Sequence, residues 1–283
     1  MRSTGATRHS GYHHFFKSID GGSVILPNFY LKNSGWFIIL TQIPKVLHFV
    51  WVGDESLRPD AYIDTWRRLH PDFEIRVWGN QEWETLPWKT RRHMDAIAHR
   101  NGQYAGVADL MRWEILLNEG GFALDADSVC VHRLPNWLFD CDLFAVWENE
   151  YVAPGLVANG YVGARPGHEV IKALVDRFSK ARDLSRRFIW YKMKYKGLTA
   201  WKTTGPVPFT EELLKASTKT VSIFPSHFFL PRHHSGLTYQ GSGPVFSCEL
   251  FAGAHGERYS KMSEGGVEGL VAEVNGQLGR NLL

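Results

Sequence analysis

Residues 43–53, Ile-Pro-Lys-Val-Leu-His-Phe-Val-Trp-Val-Gly, are almost continuously apolar. A strand with one wet face alternates apolar and polar residues. A strand that is apolar at successive positions has to be covered on both faces, as in a parallel sheet flanked by helices. Gly53-Asp54 ends the run. Pro59 then opens a helix reaching about His70, since a missing N–H is no loss in the first turn. Residues 73–78 alternate strictly and read as the second strand. Helices at about 88–100 and 105–119 follow, then a short strand, strands at 143–147 and 156–163, and a helix at about 168–180. This alternation predicts the α/β class: a mostly parallel central sheet with helices on both faces. Ligands of such open sheets bind beyond the carboxyl ends of the strands.

The third strand carries the chemistry. Helix 105–119 ends at Gly120-Gly121, a pair suited to a left-handed stop, and Phe122-Ala123-Leu124 leads into Asp125-Ala126-Asp127. In an extended segment positions i and i+2 face the same way, so Asp125 and Asp127 converge while Ala126 turns inward. Two oxygen donors held this close suit Mn²⁺ or Mg²⁺, which takes one or two carboxylates and completes its shell with substrate phosphates. Asp109 and Arg112 stand three apart on the helix that delivers the chain to this point. On a solvated face such a pair is worth only about 0.3 kcal/mol. Here it is expected to share a crevice with the aspartates.

Composition bounds the alternatives. The chain has 283 residues, 44% of them hydrophobic, and a formal net charge of +3. That supports one large α/β domain over residues 41–283, preceded by a loosely ordered extension at 1–40. The charge tolerates an anionic nucleotide but is far too small to imply a nucleic-acid partner. Cys130, Cys141 and Cys248 make neither an even framework nor a metal-ligand spacing, which fits a reducing, cytoplasmic setting. No apolar run approaches the roughly 20 residues needed to span a bilayer.

Other residues admit two readings. Trp51, with Val50 before it at the end of the first strand, offers a stacking face for a nucleobase, although a lone Trp is commonly core. Asn159-Gly160 reaches the same edge or is a turn. The segment 203–210 is a loop that contacts a sugar or a lead-in to a helix near Glu211 capped by Thr210. His255 is a candidate further metal ligand, and His233-His234 reads as an exposed polar turn. Residues 182–196 interleave Arg and Lys with Phe188, Tyr191 and Tyr195. They form either a solvated face over a packed stripe or a helix that contacts an anionic membrane, which would put the protein at the inner face of the membrane.

In this order, the run 43–53, Trp66, Pro71 and Trp78, Ala108-Asp109-Leu110-Met111-Arg112, Gly120 to Asp127, and Asn159 with Pro166-Gly167-His168 resemble the DXD-containing sugar-transferase family. That family includes outer-chain mannosyltransferases, glycolipid galactosyltransferases and capsular or lipopolysaccharide glycosyltransferases. More distantly, the chain is similar to the glucosylating bacterial toxins. The resemblance implies a GT-A fold and metal-dependent, retaining transfer of a hexose from a UDP- or GDP-linked sugar to a glycan, polysaccharide or lipid-linked acceptor. By the same resemblance, Trp51 stacks on the base, and Asp109 and Arg112 hold ribose, sugar or phosphate. Asp125 touches ribose and sugar and reaches the metal through water, while Asp127 ligates it directly. Asn159 lies near the transferred sugar, and His255 matches a late family histidine loosely. Ala123 departs from the pattern, because relatives carry an aromatic residue two positions before the first Asp. A protein-modifying glucosyltransferase effector and a silent nucleotide-sugar binder are the alternatives.

Overall fold

A computed structural model describes residues 17–19, 22–24, 30–32, 35–37, 42–186, 199–216, 221–249 and 266–279. The chain divides into two compact units, Met1–Thr41 and Gln42–Leu283. In the first, β1 (Lys17–Ile19) pairs antiparallel with β2 (Gly22–Val24), and β3 (Tyr30–Lys32) with β4 (Gly35–Phe37).

The second unit is built on the expected sheet. β5 (Val46–Val50) lies between β6 (Glu74–Trp78) and β7 (Gly121–Leu124), parallel to both. A separate short strand, β8 (Ser128–Cys130), follows β7. The sheet continues through β9 (Leu143–Asn149), β10 (Ala153–Val157) and β11 (Tyr161–Ala164). β11 joins β7 to β9 antiparallel, and β12 (Val221–Phe224) pairs parallel with β9. Five of the seven strands therefore run one way, with β10 and β11 reversed. This is a mixed α/β fold with a mostly parallel sheet.

Helices cover both faces. On one, α1 (Asp60–Leu69) brings Ile63 and Trp66 against Leu47, Phe49, Phe122 and Leu124. α2 (Asn80–Thr85) is a short helix between β6 and the next long one. On the other face, α3 (Arg91–Asn101), α4 (Tyr104–Glu119) and α5 (Glu169–Ser179) pack over Val50, Ala123, Ala145 and Val162. Alternate residues of each strand thus feed opposite cores, which is why the strand sequences read as unbroken apolar runs. α6 (Thr199–Thr203) and α7 (Pro206–Lys215) extend the second face. β13 (Ser247–Glu249) pairs with β8, and α8 (Gly266–Leu278) covers that pair from outside through Leu270, Val271 and Val274.

Two expectations are corrected here. The strand expected at 156–163 is broken by Asn159-Gly160, since β10 ends at Val157 and β11 begins at Tyr161. The helix expected near Glu211 starts at Pro206, with proline in its first turn as its chemistry favours. Thr210 is therefore interior, and its hydroxyl accepts from the Val157 N–H at 3.0 Å instead of capping the helix.

The α4–β7 corner explains the Gly-Gly pair. Gly120 and Gly121 have φ of +69° and +91°. A Cβ at Gly120 would come within 2.6 Å of Pro166 Cδ, and one at Gly121 within 2.7 Å of His48 Nε2. Only glycine permits both the left-handed backbone and the close approach. Buried His48 fastens the corner: its Nδ1 accepts from the Trp78 indole at 3.1 Å, so its Nε2–H donates to the Gly120 carbonyl at 2.9 Å. Burial pulls its pKa down to about 4, which keeps the ring neutral.

Candidate active site

β5 and β7 are neighbours in parallel register, with Phe49 opposite Leu124. The two strands therefore end at the same edge, β5 after Val50 and β7 after Leu124, with Trp51 and Asp125 the first residues beyond them. Val50 is buried beneath the helices. Trp51 is half-buried, packs on the α1-side core and donates from its indole to the Asp54 carbonyl at 2.9 Å.

The Asp-x-Asp segment differs from the expected extended form. The strand ends at Leu124, and Asp125 to Ser128 form a tight turn in which the Ser128 N–H and hydroxyl donate to the Asp125 carbonyl at 3.2 and 2.7 Å. Ala126 is buried as expected, and both aspartates are half-buried. Ser128 in turn accepts from the Trp66 indole at 3.0 Å, so the turn is anchored to α1 through the core.

Asp109 and Arg112 are not a surface pair. Both are buried, at 8% and 4% exposure, and each reaches a different part of the same cluster. Arg112 donates from one terminal nitrogen to the Asp125 carboxylate and from the other to the Asn159 carbonyl. The Asn159 amide donates to Asp109 at 2.7 Å, and the Thr204 hydroxyl donates to the other Asp109 oxygen at 2.9 Å. Gly160 follows directly: its carbonyl accepts from the Asp125 N–H at 3.0 Å, and a Cβ there would fall on the Asp125 carboxylate. The sequence-predicted set Asp109, Arg112, Asp125 and Asn159 is thus one connected network. His255 and residues 187–196 of the basic stretch lie outside the described residues.

Two carboxyls belong here that the sequence reading did not single out. Glu249 is brought in by pairing of β13 with β8, which sets it opposite Ser128 beside the Asp-x-Asp turn. Burial, then the charges of Asp125 and Asp127, push its pKa well above the usual carboxylate range. It shares a hydrogen bond with Asp125. Asp125 stays below its ordinary value: burial would raise it, but the charge of Arg112 and hydrogen bonds from Glu249 and Arg112 prevail. Glu148, near the end of β9, is raised to about 7 by burial and by Asp125. Asp109 is raised to about 6 by burial, against the opposing pull of Arg112, Thr204 and Asn159. The available signal for both glutamates was a lone acid inside an apolar strand sequence, at 246–251 and 143–148.

Asp125, Asp127 and Glu249 offer only oxygen, the donor type that suits a hard divalent cation.

Residues 57–143, which include the Asp-x-Asp turn and both network residues of α4, match the family model described as a glycosyltransferase sugar-binding region containing a DXD motif. The match covers 87 of the 283 residues. The chain is 27% identical over 173 residues to inositol phosphoceramide mannosyltransferase 3 of Schizosaccharomyces pombe, covering 58% of this chain and 43% of that protein. It is 28% identical over 133 residues to an uncharacterized glycosyltransferase of Acanthamoeba polyphaga mimivirus, covering 46% of this chain and 53% of the other. The chain therefore spans about half the length of these relatives. Among solved structures it is similar to a glycosyltransferase involved in glycosylation of the major capsid of PBCV-1, with a TM-score of 0.43 and 10% identity over 77% of this chain and 98% of the other. It is also similar to the galactosyltransferase LgtC in complex with donor and acceptor sugar analogs, with a TM-score of 0.37 and 17% identity over 72% and 86%. Asp125-Ala126-Asp127 lies within this span. No helix among the described residues is long and apolar enough to cross a membrane.

Proposed function

We propose that the protein is a retaining, metal-dependent glycosyltransferase that moves a hexose from a UDP- or GDP-linked sugar to a glycan, polysaccharide or lipid-linked acceptor. The observation carrying this reading is the network in which buried Arg112 joins Asp125 to Asn159 while Asp109 and Thr204 hold Asn159. Side chains locked by such mutual bonds are preorganised for one ligand geometry. Retention of configuration is carried over from the family resemblance.

Asp127, Asp125 and Glu249 are the residues that hold Mn²⁺ or Mg²⁺. When bound, the ion supplies charge neutralisation for the departing diphosphate. Arg112 keeps Asp125 ionised and fixed, and adds positive potential beside the same leaving group. Trp51 covers the base, and Asn159 orients the transferred sugar through the contacts that fix its amide and carbonyl. The basic stretch at 182–196 is a candidate contact with an anionic membrane, tested by liposome binding after replacement of its lysines and arginines.

Screening UDP- and GDP-sugars for Mn²⁺-dependent stabilisation against heat tests donor binding, because a ligand at 100 times its Kd adds about 2.7 kcal/mol. Hydrolysis of the stabilising donor without acceptor then separates an enzyme from a silent binder. Radiolabelled sugar appearing on protein, not on glycan or lipid, would favour an effector that modifies proteins.

A further inference from the structure

The turn at 232–238, between β12 and β13, carries a buried donor that the proposed transfer does not use. Arg232 bridges Thr238, the His233 N–H donates to the Leu237 carbonyl at 2.8 Å, and Gly236 turns the chain at φ +91°. His233 was expected in an exposed turn, but only 3% of it is exposed. The Ser235 N–H donates to His233 Nδ1 at 3.2 Å, which makes Nδ1 the acceptor and leaves the ring proton on Nε2. Burial, then the charge of His234, lowers the pKa of the ring and favours this neutral form. Nε2 is buried and has no hydrogen-bond partner among the described residues. A buried N–H left without a partner is costly, so such a group marks a place where something else completes the bond.

Nε2 lies 4.0 Å from a Glu148 carboxylate oxygen, too far for a direct bond. The Glu148 side chain keeps 15% exposure, so a ligand can reach it from solvent. Burial, then Asp125, raises its pKa to about 7, and no hydrogen bond enters to lower it. The two groups are complementary, one donating and the other accepting. An oxygen about 2.8 Å from the carboxylate and about 2.9 Å from Nε2 spans the gap at an angle of about 90°. A hydroxyl meets both needs: its lone pair accepts from Nε2–H and its proton goes to Glu148. A cation would meet the Nε2–H, and an anion the carboxylate.

The order of strands says which hydroxyl. Along this edge the sheet runs β5, β7, β11, β9, and β9 is parallel to β7 because β11 is antiparallel to both. Trp51 stands beyond β5, Asp125 beyond β7, and Asn159-Gly160 leads into β11. Glu148 is the penultimate residue of β9, two strands past β7, or about 10 Å at the usual strand spacing. Base, diphosphate and transferred sugar would fill that series in turn, which leaves Glu148 on the acceptor side. Resting on the proposed sugar transfer, we propose that Glu148 and His233 hold a hydroxyl of the acceptor and select for a sugar that presents one there.

Steady-state transfer from the stabilising donor, with Mn²⁺, to the methyl α-glycosides of mannose, galactose and glucose tests it. Wild type is compared with Glu148→Ala, His233→Asn and His233→Gln. Asparagine keeps an acceptor for the Ser235 N–H but has no group at the Nε2 position, whereas glutamine restores an N–H donor there. The KM for the preferred glycoside is expected to rise at least tenfold in Glu148→Ala and His233→Asn, and to recover in part in His233→Gln. The KM for the donor is expected to change less than twofold in all three. An unchanged acceptor KM, donor and acceptor KM rising together, or transfer to none of the glycosides by wild type that hydrolyses the donor would each overturn the proposal. Wild type that neither binds nor hydrolyses a nucleotide sugar would overturn the transfer reading itself, and this site with it.

Discussion

Arg112 donates to the Asp125 carboxylate from within the protein interior, and its second terminal nitrogen reaches the Asn159 carbonyl. One guanidinium therefore sets both the first aspartate of the DXD turn and the break between β10 and β11. Lysine carries the same charge but cannot span two acceptors in a fixed fork. Arg112→Lys is expected to lower transfer at least tenfold. Arg112→Ala, which leaves Asp125 without its countercharge, is expected to cost about 3–5 kcal/mol of stability. Denaturant unfolding and steady-state transfer rates, measured side by side, check both.

Gly160 packs its backbone against the same carboxylate. A methyl group there would collide with Asp125 and displace it from the position Arg112 holds. Gly160→Ala is expected to weaken metal-dependent stabilisation by donor while moving the melting temperature of the unliganded chain much less. Thermal melts with and without Mn²⁺ and nucleotide sugar give the two readings. An unchanged donor response would mean that the Asp125 position is not critical.

Burial and the charges of Asp125 and Asp127 raise the pKa of Glu249 well above the usual carboxylate range. A cation competes with a proton for that carboxyl, so Mn²⁺ affinity should increase with rising pH. Glu249→Gln removes both a ligand and the titrating group. It is expected to bind Mn²⁺ more weakly and with a flatter pH dependence, measured by calorimetry at several pH values.

Asp109 makes a different pH prediction. Its pKa is raised from 3.8 to about 6, chiefly by burial. A carboxyl raised on folding contributes stability that is fully present below its unfolded value and lost as pH rises through the folded one. Wild type should therefore lose stability relative to Asp109→Asn between about pH 4 and 7, by roughly 3 kcal/mol for two pKa units. Urea unfolding of the two proteins across this range checks the sign.

Legibility from sequence followed distance along the chain. The β5 run, the α4 helix and the Gly-Gly corner are local patterns, and the three-residue spacing of Asp109 and Arg112 placed them correctly toward Asp125. The Asp-x-Asp turn was misread as extended because the turn is closed by Ser128, whose role depends on the Trp66 indole from another element. Glu249 was invisible because strand pairing brings it to Ser128 from more than a hundred residues away. No periodicity encodes such a partner. The same holds for Glu148 and His233, which approach to 4.0 Å from distant parts of the chain.

The most direct test is metal-dependent turnover of the stabilising nucleotide sugar by Asp127→Asn, with wild type in excess chelator as a parallel. A carboxylate that binds the cation directly should be irreplaceable by an amide. Turnover is expected to drop at least a hundredfold, with the melting temperature of the unliganded chain nearly unchanged. Full activity in Asp127→Asn, or in wild type stripped of divalent ions, would contradict a cation site at this turn.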